Sequence, residues 1–328
     1  MWQSSLVASL LQSWVPVLEV IPDPLDGERV DRVVSMLLGL SRSAATTAIR
    51  DELVRLDGSI VTKGSQRVST DQELAVDDAV LDERPPVQPD PTVVVDYVHV
   101  DDDVIVVSKR PGQIVHPGSG HDVGTVVQGV LAEYPEIIDV GQPERPGVVH
   151  RLDKGTSGVF MIARTERAYD SLTEQLRDRT VSRKYLTLVW GHPSTPRGVV
   201  DAPIGRAIRD PTRMVVRNDA KPARTSYTVQ ATWSEPVVSL LSCTLDTGRT
   251  HQIRVHMEAI NHPVVGDARY GGARQPLGID RPALHAAELG FEHPATGEWM
   301  EFSARIPDDM RGVIDTFGPP DSGTVQSL

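Results

Sequence analysis

The chain has 328 residues, room for roughly two domains of ~150 residues each, and a single cysteine, Cys243, which excludes an internal disulfide and any CxxC site. Its formal net charge of −12 is the opposite of the basic balance usual in a nucleic-acid binder. That charge is uneven, at −4 over residues 1–28, +3 over 29–68, −10 over 69–103 and −1 over 104–328, so the acidity gathers mainly around the linker region described below and spares the candidate binding surfaces.

No cation precedes the apolar run Leu6–Leu11, and Glu19 follows soon after, a pattern that argues against a secretory signal or a membrane span. Residues 1–26 are read as an extension. From residue 27 to 81, Val30, Val33, Val34, Leu37 and Leu38 carry helical spacing. Ser41-Arg42-Ser43 opens a second helix to about Val54, and Gly58–Gly64 makes a short strand and turn. Asp82–Pro91 has the composition of an extended linker, placed at residues 82–92. Between 93 and 310, apolar runs at Val104–Val107, Val159–Ala163, Tyr185–Trp190, Ser226–Thr232 and Val237–Leu245 are separated by helices near Val123–Glu133, Arg167–Arg177 and Thr250–Ala259. Strands without regular helical crossovers predict an α+β fold with a largely antiparallel mixed sheet. Residues 311–328 form a tail, expected to fray from Gly318 onward.

His150-Arg151-Leu152-Asp153-Lys154-Gly155-Thr156-Ser157-Gly158 sets one carboxylate between two cations in a turn-forming segment. Neighbouring positive charge favours the carboxylate form, which can attack carbon or accept a proton. A turn Asp capping a following helix is the bland alternative. Val181–Gly191 reads as a strand carrying Tyr185. Leu245–Met257 reads as a strand end, a Gly turn and a helix capped by Thr250 or Thr247. His251 and His256, five residues apart, do not share a helical face as a zinc pair would, and no metal signature emerges. Cys243 reads as a buried small hydrophobe. Between Ile204 and Thr225, Arg206, Arg209, Arg213, Arg217, Lys221 and Arg224 stand against only Asp210 and Asp219. This is a basic loop or hairpin suited to phosphates, or simply a solvated face.

The HRLDKGTSG run, the KYLTLVWG strand and the GRTHQIRVHM segment, followed by Gly266-Asp267-Ala268-Arg269-Tyr270-Gly271, together resemble the RluA family of pseudouridine synthases. The resemblance covers about Val93 to Pro307, including Val104–Gly112, the His116-Pro117-Gly118 turn and Leu284-His285-Ala286. Arg110 departs from the pattern, standing where Pro more often follows the Lys. The resemblance implies isomerisation of uridine in RNA, moving the ribose bond from N1 to C5, with no metal or organic cofactor, in a central cleft of a pseudouridine synthase domain.

By the same resemblance Asp153 is the nucleophile, attacking ribose C1′ or, alternatively, C6 of the base. Arg254 pairs with Asp153, and Tyr185 stacks on the uracil and can serve as a base. Arg151 fills the space left by the flipped nucleotide, while Lys184, Arg206, Arg213, Arg217 and Arg42 are candidate RNA-binding residues. The order of elements in residues 27–81 resembles the small alpha-L, S-four-type RNA-binding module of RluC- and RluD-like members, a generic helical cap being the alternative. The expected partner is structured RNA, in the first place 23S (large-subunit) ribosomal RNA or a ribosome precursor, acted on by a cytoplasmic monomer without membrane or metal. Alternatives are a tRNA uridine, an RNA-binding ribosome-assembly factor with catalysis secondary, and a hydrolase using Asp153 and His251.

Overall fold

The computed structural model describes residues 16–38, 40, 42–77, 87–118, 123–207, 210, 213–274 and 276–325. The chain divides into two units, Met1–Pro85 and Pro86–Leu328. The start of the expected extension, residues 82–86 of the expected linker, Arg209 and the side chain of Arg42 lie outside the described residues.

In the first unit β1 (Pro16–Val20), α1 (Val30–Leu37), α2 (Arg42–Arg50), β2 (Val54–Leu56), β3 (Ser59–Ile60) and β4 (Glu73–Asp77) follow in order. The strands pair antiparallel as β1-β4-β2-β3. Val30, Val33 and Val34, spaced for one helical face, are buried against Ala45, Ala48 and Ile49 of α2 and Leu56, Leu74 and Val76 of the sheet. The second helix stops at Arg50 and not at Val54, because Glu52 takes a left-handed backbone, φ 61°, and turns the chain into β2.

The second unit runs β5 (Tyr97–Val100), β6 (Val104–Lys109), α3 (Val126–Glu133), β7 (Gly141–Gln142), β8 (Arg145–Pro146), β9 (Ser157–Ala163), α4 (Glu166–Asp178), β10 (Ser182–Trp190), β11 (Arg197–Asp201), β12 (Ile204–Arg206), β13 (Met214–Val216), β14 (Arg224–Ser234), β15 (Val237–Leu245), α5 (Gln252–Ala259), β16 (Leu284–Glu292), β17 (Trp299–Ser303), α6 (Asp308–Thr316) and β18 (Ser322–Gly323). Ten strands form one sheet along β11-β14-β15-β10-β16-β9-β6-β5, with β17 beside β16 and β18 beside β14. Every pairing in it is antiparallel except the short parallel contact of β9 with β16, the expected α+β arrangement.

The period of two along each strand sorts side chains between two buried faces. On one face Val107, Phe160, Ile162, Tyr185, Leu241 and Cys243 pack with Val126, Val130 and Leu131 of α3 and Ile253 and Met257 of α5. On the other, Leu186, Leu188 and Trp190 pack with Met310, Val313 and Ile314 of α6, and Val106, Val159 and Met161 pack with Ala168 and Leu172 of α4. Each such large apolar side chain contributes about 1.5–3 kcal/mol on burial. β9 is buried at all seven positions and so lies between both layers.

Two further expectations are corrected. The stretch beyond Gly318 is tied down through Val325: Trp233 Nε1 donates to the Gly318 carbonyl at 3.0 Å, Asp321 accepts from Ser234 N at 2.7 Å, and β18 extends the sheet. Neither Thr247 nor Thr250 caps α5. His251 occupies the cap position with a left-handed backbone, φ 57°, and Thr247 Oγ1 instead donates to Gln252 Oε1 at 2.7 Å.

Gly158 joins β9 to β16 where the two backbones approach closely. Its φ is +113°, and a Cβ there would lie 2.1 Å from the Ala286 carbonyl oxygen. Gly158→Ala is expected to cost about 3 kcal/mol or more, read as a lowered urea midpoint with unchanged slope.

Candidate active site

Asp153 sits on the loop leading into β9, and that loop is held by buried cations. Lys109, 1% exposed, spends its three N–H donors on the carbonyls of Arg110, Gln113 and Lys154 at 2.9, 2.9 and 3.2 Å. Burial pulls this ammonium's pKa down to about 7 while the Asp153 charge pulls it upward, and three acceptors match the protonated form. Arg281 Nη1 donates to the Gly155 carbonyl at 2.9 Å, and Thr156 N donates to the Asp153 carbonyl at 3.0 Å.

The Asp153 side chain is 21% exposed and accepts from Arg254 Nη1 at 3.1 Å. Arg254, on α5, grips a second carboxylate harder: Nε and Nη2 reach Asp267 at 2.6 and 3.0 Å. Asp267 is 1% exposed and also accepts from the backbone N–H groups of Arg269 and Tyr270. The Tyr270 ring lies 4.9 Å from the Arg254 guanidinium carbon, a cation-π distance. Tyr270 Oη accepts from Met214 N at 3.1 Å, so its own proton is available to His251 Nδ1 at 2.8 Å. His251 Nε2, on the other side of the ring, lies 3.9 Å from Asp153 Oδ2. Burial, joined by Arg254 and Arg269, lowers the His251 pKa against the upward pull of Asp153 and Asp267.

An open cleft of about 380 Å³ is lined by Asp153, Arg151, Tyr185, Arg183, His251 and Leu284, among others. Tyr185 pairs in register with Cys243 on β15 and with Ala286 on β16, where the β10–β16 register shifts between Lys184 and Tyr185. Such a bulge re-aims side chains beside a site. Burial raises the Tyr185 hydroxyl's pKa, the Arg183 charge opposing and the Asp153 charge adding to it. Burial likewise pushes the Cys243 thiol up to about 12. His150 plays a packing role: its Nε2 accepts from Met161 N at 3.1 Å and its ring meets Phe160 edge-on.

The structure thus brings Asp153, Tyr185 and Arg151 to one cleft, with Arg254 bonded to Asp153 beside it. Arg213 approaches from behind, 5.4 Å over the Tyr270 ring. Lys184 is not part of the cleft; it points to the opposite sheet face and pairs with Glu288 at 2.5 Å. Arg206 and Arg217 lie on the β12–β13 hairpin and the turn after it. The cations of this stretch meet more acid than a local count suggests, because Arg213 pairs with Glu258, Arg217 with Asp219 and Arg224 with Asp246. Glu258 and Asp246 lie far along the chain, invisible to the count. Sequence reasoning assigned no role to Asp267, Lys109, Arg183 or Arg281. Asp267 and Lys109 stand inside runs that carried the resemblance, which was the available signal. Among the described residues no group of three or more His, Cys, Asp or Glu side chains is arranged to hold a metal, and no helix is long and apolar enough to cross a membrane.

The RNA pseudouridylate synthase family model matches residues 103–259 of the chain, and the S4 domain model matches residues 28–74. The chain belongs to the RNA pseudouridine synthases, isomerases that act on RNA, and carries an S4 domain at its N-terminal side. An uncharacterized RNA pseudouridine synthase of Bacillus subtilis (strain 168) is 40% identical over 292 residues, 88% of this chain and 93% of its own. The ribosomal large subunit pseudouridine synthase D of Escherichia coli (strain K12) is 39% identical over 302 residues, 88% of this chain and 90% of its own. The human RNA pseudouridylate synthase domain containing 1 structure superposes with a TM-score of 0.56 at 28% identity, over 74% of this chain and 94% of that one.

Asp267→Asn removes the charge that compensates a guanidinium only 8% exposed and is expected to cost about 3–5 kcal/mol, measured by chemical denaturation. A second expectation concerns acid. Burial lowers the His150 pKa to about 3 and that of His116 to about 4, from an ordinary 6.5. The unfolded chain therefore binds these protons first, and the stability they contribute is full above pH 6.5 and lost as pH falls towards 3. Urea midpoints between pH 7 and 4 should decline less steeply in His150→Gln than in wild type.

Proposed function

We propose that the chain isomerises a uridine of large-subunit ribosomal RNA in the cytoplasm, with Asp153 as the nucleophile. The observation that carries this reading is the partly exposed Asp153 carboxylate, fixed 3.1 Å from Arg254 Nη1 in the cleft that Tyr185 also lines. The large-subunit assignment is supported by relatives named ribosomal large subunit pseudouridine synthase D that match 88–94% of this chain, together with an S4 domain able to add RNA contacts outside the cleft.

The target uridine must leave its stack to reach a carboxylate at this depth. An Asp153 oxygen then bonds to ribose C1′ as the N1–C1′ bond breaks, its electron pair leaving with the base. The base turns, C5 bonds to C1′, and the carboxylate is released. C5 then loses its proton and N1 gains one, so the product is an isomer and nothing is oxidised or reduced. Arg254 keeps the carboxylate aimed, and the raised pKa of Tyr185 means that it enters the reaction as a phenol, stacked on the ring. Arg151 stands exposed at the cleft's rim with, among the described residues, a single 3.5 Å contact to Thr250 Oγ1, suited to filling the gap left in the RNA.

A pseudouridine map of cells lacking the protein should miss one or more large-subunit sites, restored by wild type and not by Asp153→Asn. An unchanged ribosomal map would overturn the substrate assignment.

A further inference from the structure

We propose that Arg183 is a further catalytic residue, whose guanidinium contacts a carbonyl oxygen of the target uracil and stabilises the negative charge that the base carries during the reaction. The inference rests on the isomerase reading above and concerns a residue outside the Asp153, Arg254 and Tyr185 set.

Arg183 lies two residues before Tyr185 on β10, so both side chains project to the same face of the strand, and both line the cleft with Asp153. It is 6% exposed. Buried cations are ordinarily paired, and this one has no close ion pair, Asp246 acting on it only from beyond salt-bridge distance. Among the described residues no carboxylate lies within ion-pair distance of it, its Nε has no hydrogen-bond partner, and Nη2 makes only a 3.4 Å contact with the Leu245 carbonyl. A guanidinium stays protonated even here, so a desolvated positive charge with unused donors is built into the cleft wall. The loop opposite leaves room for it: a Cβ on Gly248 would stand 2.8 Å from Nη1.

The other cleft cations differ. Arg145 reaches Gln142, Arg249 reaches the Pro222 carbonyl, and Arg177 pairs with Glu174 and Asp178. All three, and Arg151 at the rim, are half-buried or exposed, as groups meeting backbone phosphates would be. Only a nucleobase that has left its stack can reach Arg183.

The reaction supplies the matching charge by either route of attack. When Asp153 bonds to C1′, the departing uracil takes the N1–C1′ electron pair and spreads it over O2 and O4. When Asp153 adds instead to C6, the ring becomes an enolate at O4. In both cases a carbonyl oxygen is more negative in the transition state than in the substrate, so a fixed donor aimed at it accelerates the step.

The test uses full-length protein and a synthetic RNA hairpin containing a uridine mapped in cells, with uridine, 2-thiouridine or 4-thiouridine at that position. Arg183→Gln should lower kcat on the order of 100-fold with KM changed by less than about threefold, and Arg183→Lys should recover part of the loss. One of the two sulfur substitutions, which weaken the acceptor, should slow wild type far more than Arg183→Gln. Equal sulfur effects in the two proteins, or a loss confined to KM, would overturn the role of Arg183. If a melting curve shows that Arg183→Gln does not fold, Gly248→Ala, which crowds Nη1 from the loop, should give the same kcat loss and the same blunted sulfur effect. Wild type inactive on the unmodified hairpin would remove the isomerase reading and this inference together, whereas active wild type with undiminished variants removes this inference alone.

Discussion

One guanidinium divided between two carboxylates governs the rest of the site. Arg254 gives Asp267 a two-pronged grip at 2.6 and 3.0 Å and gives Asp153 a single bond at 3.1 Å. The asymmetry matters because an arginine and one carboxylate would neutralise each other and occupy both oxygens. With Asp267 taking the fork, the trio keeps one net negative charge, and Asp153 is oriented without being consumed. Asp267 can play this part because two backbone N–H groups stabilise its charge where water cannot reach. The cation-π contact to Tyr270 and the Tyr270–His251 hydrogen bond extend the same network, so the guanidinium has little freedom to turn.

That network works only if three remote segments meet, and the sheet order brings them together. β10 lies between β15 and β16, and β9 flanks β16, which puts the Asp153 loop, the Tyr185 strand and the turn into α5 at one side of the sheet. The loop itself is short of regular backbone pairing, and Lys109 and Arg281 supply what pairing would have supplied elsewhere. Gly158 allows β9 to meet β16 closely enough for this to work.

Much of this was legible in the sequence, for physical reasons that differ by element. The α+β class and the strand runs Val104–Val107, Tyr185–Trp190 and Val237–Leu245 were readable because strands buried on both faces write near-continuous apolar runs locally. β16, β17 and α6 were not assigned, since short mixed runs such as Leu284–Glu292 carry turn residues inside them and gain their burial from neighbours far away. Asp153 was readable as a candidate from motif chemistry, and Tyr185 and Arg254 only from the family resemblance. The role of Asp267 was not, because it depends on which face of α5 meets a turn thirteen residues on. Lys184 and Arg183 show the limit most sharply. They are adjacent and both basic, and only the strand's register decides that Arg183 faces the cleft while Lys184 turns away to Glu288.

The chain's acidity need not oppose RNA binding, because charges more than about 8 Å apart are largely screened at physiological salt. What RNA meets is the local field of the cleft, where Arg145, Arg151, Arg183 and Arg249 have no carboxylate within 4.0 Å among the described residues, unlike the cations near the β12–β13 hairpin. Depth then separates the tasks of these four. Those near the rim can meet any phosphate, so they add affinity with little discrimination. The one in the wall is useful only after a nucleotide has been extruded, so its stabilisation is withheld from duplexes and from misplaced strands. On the proposed reading, the cost of burying an unpaired cation is offset only in the productive complex, and the cleft thereby couples recognition of a flipped base to the chemistry performed on it.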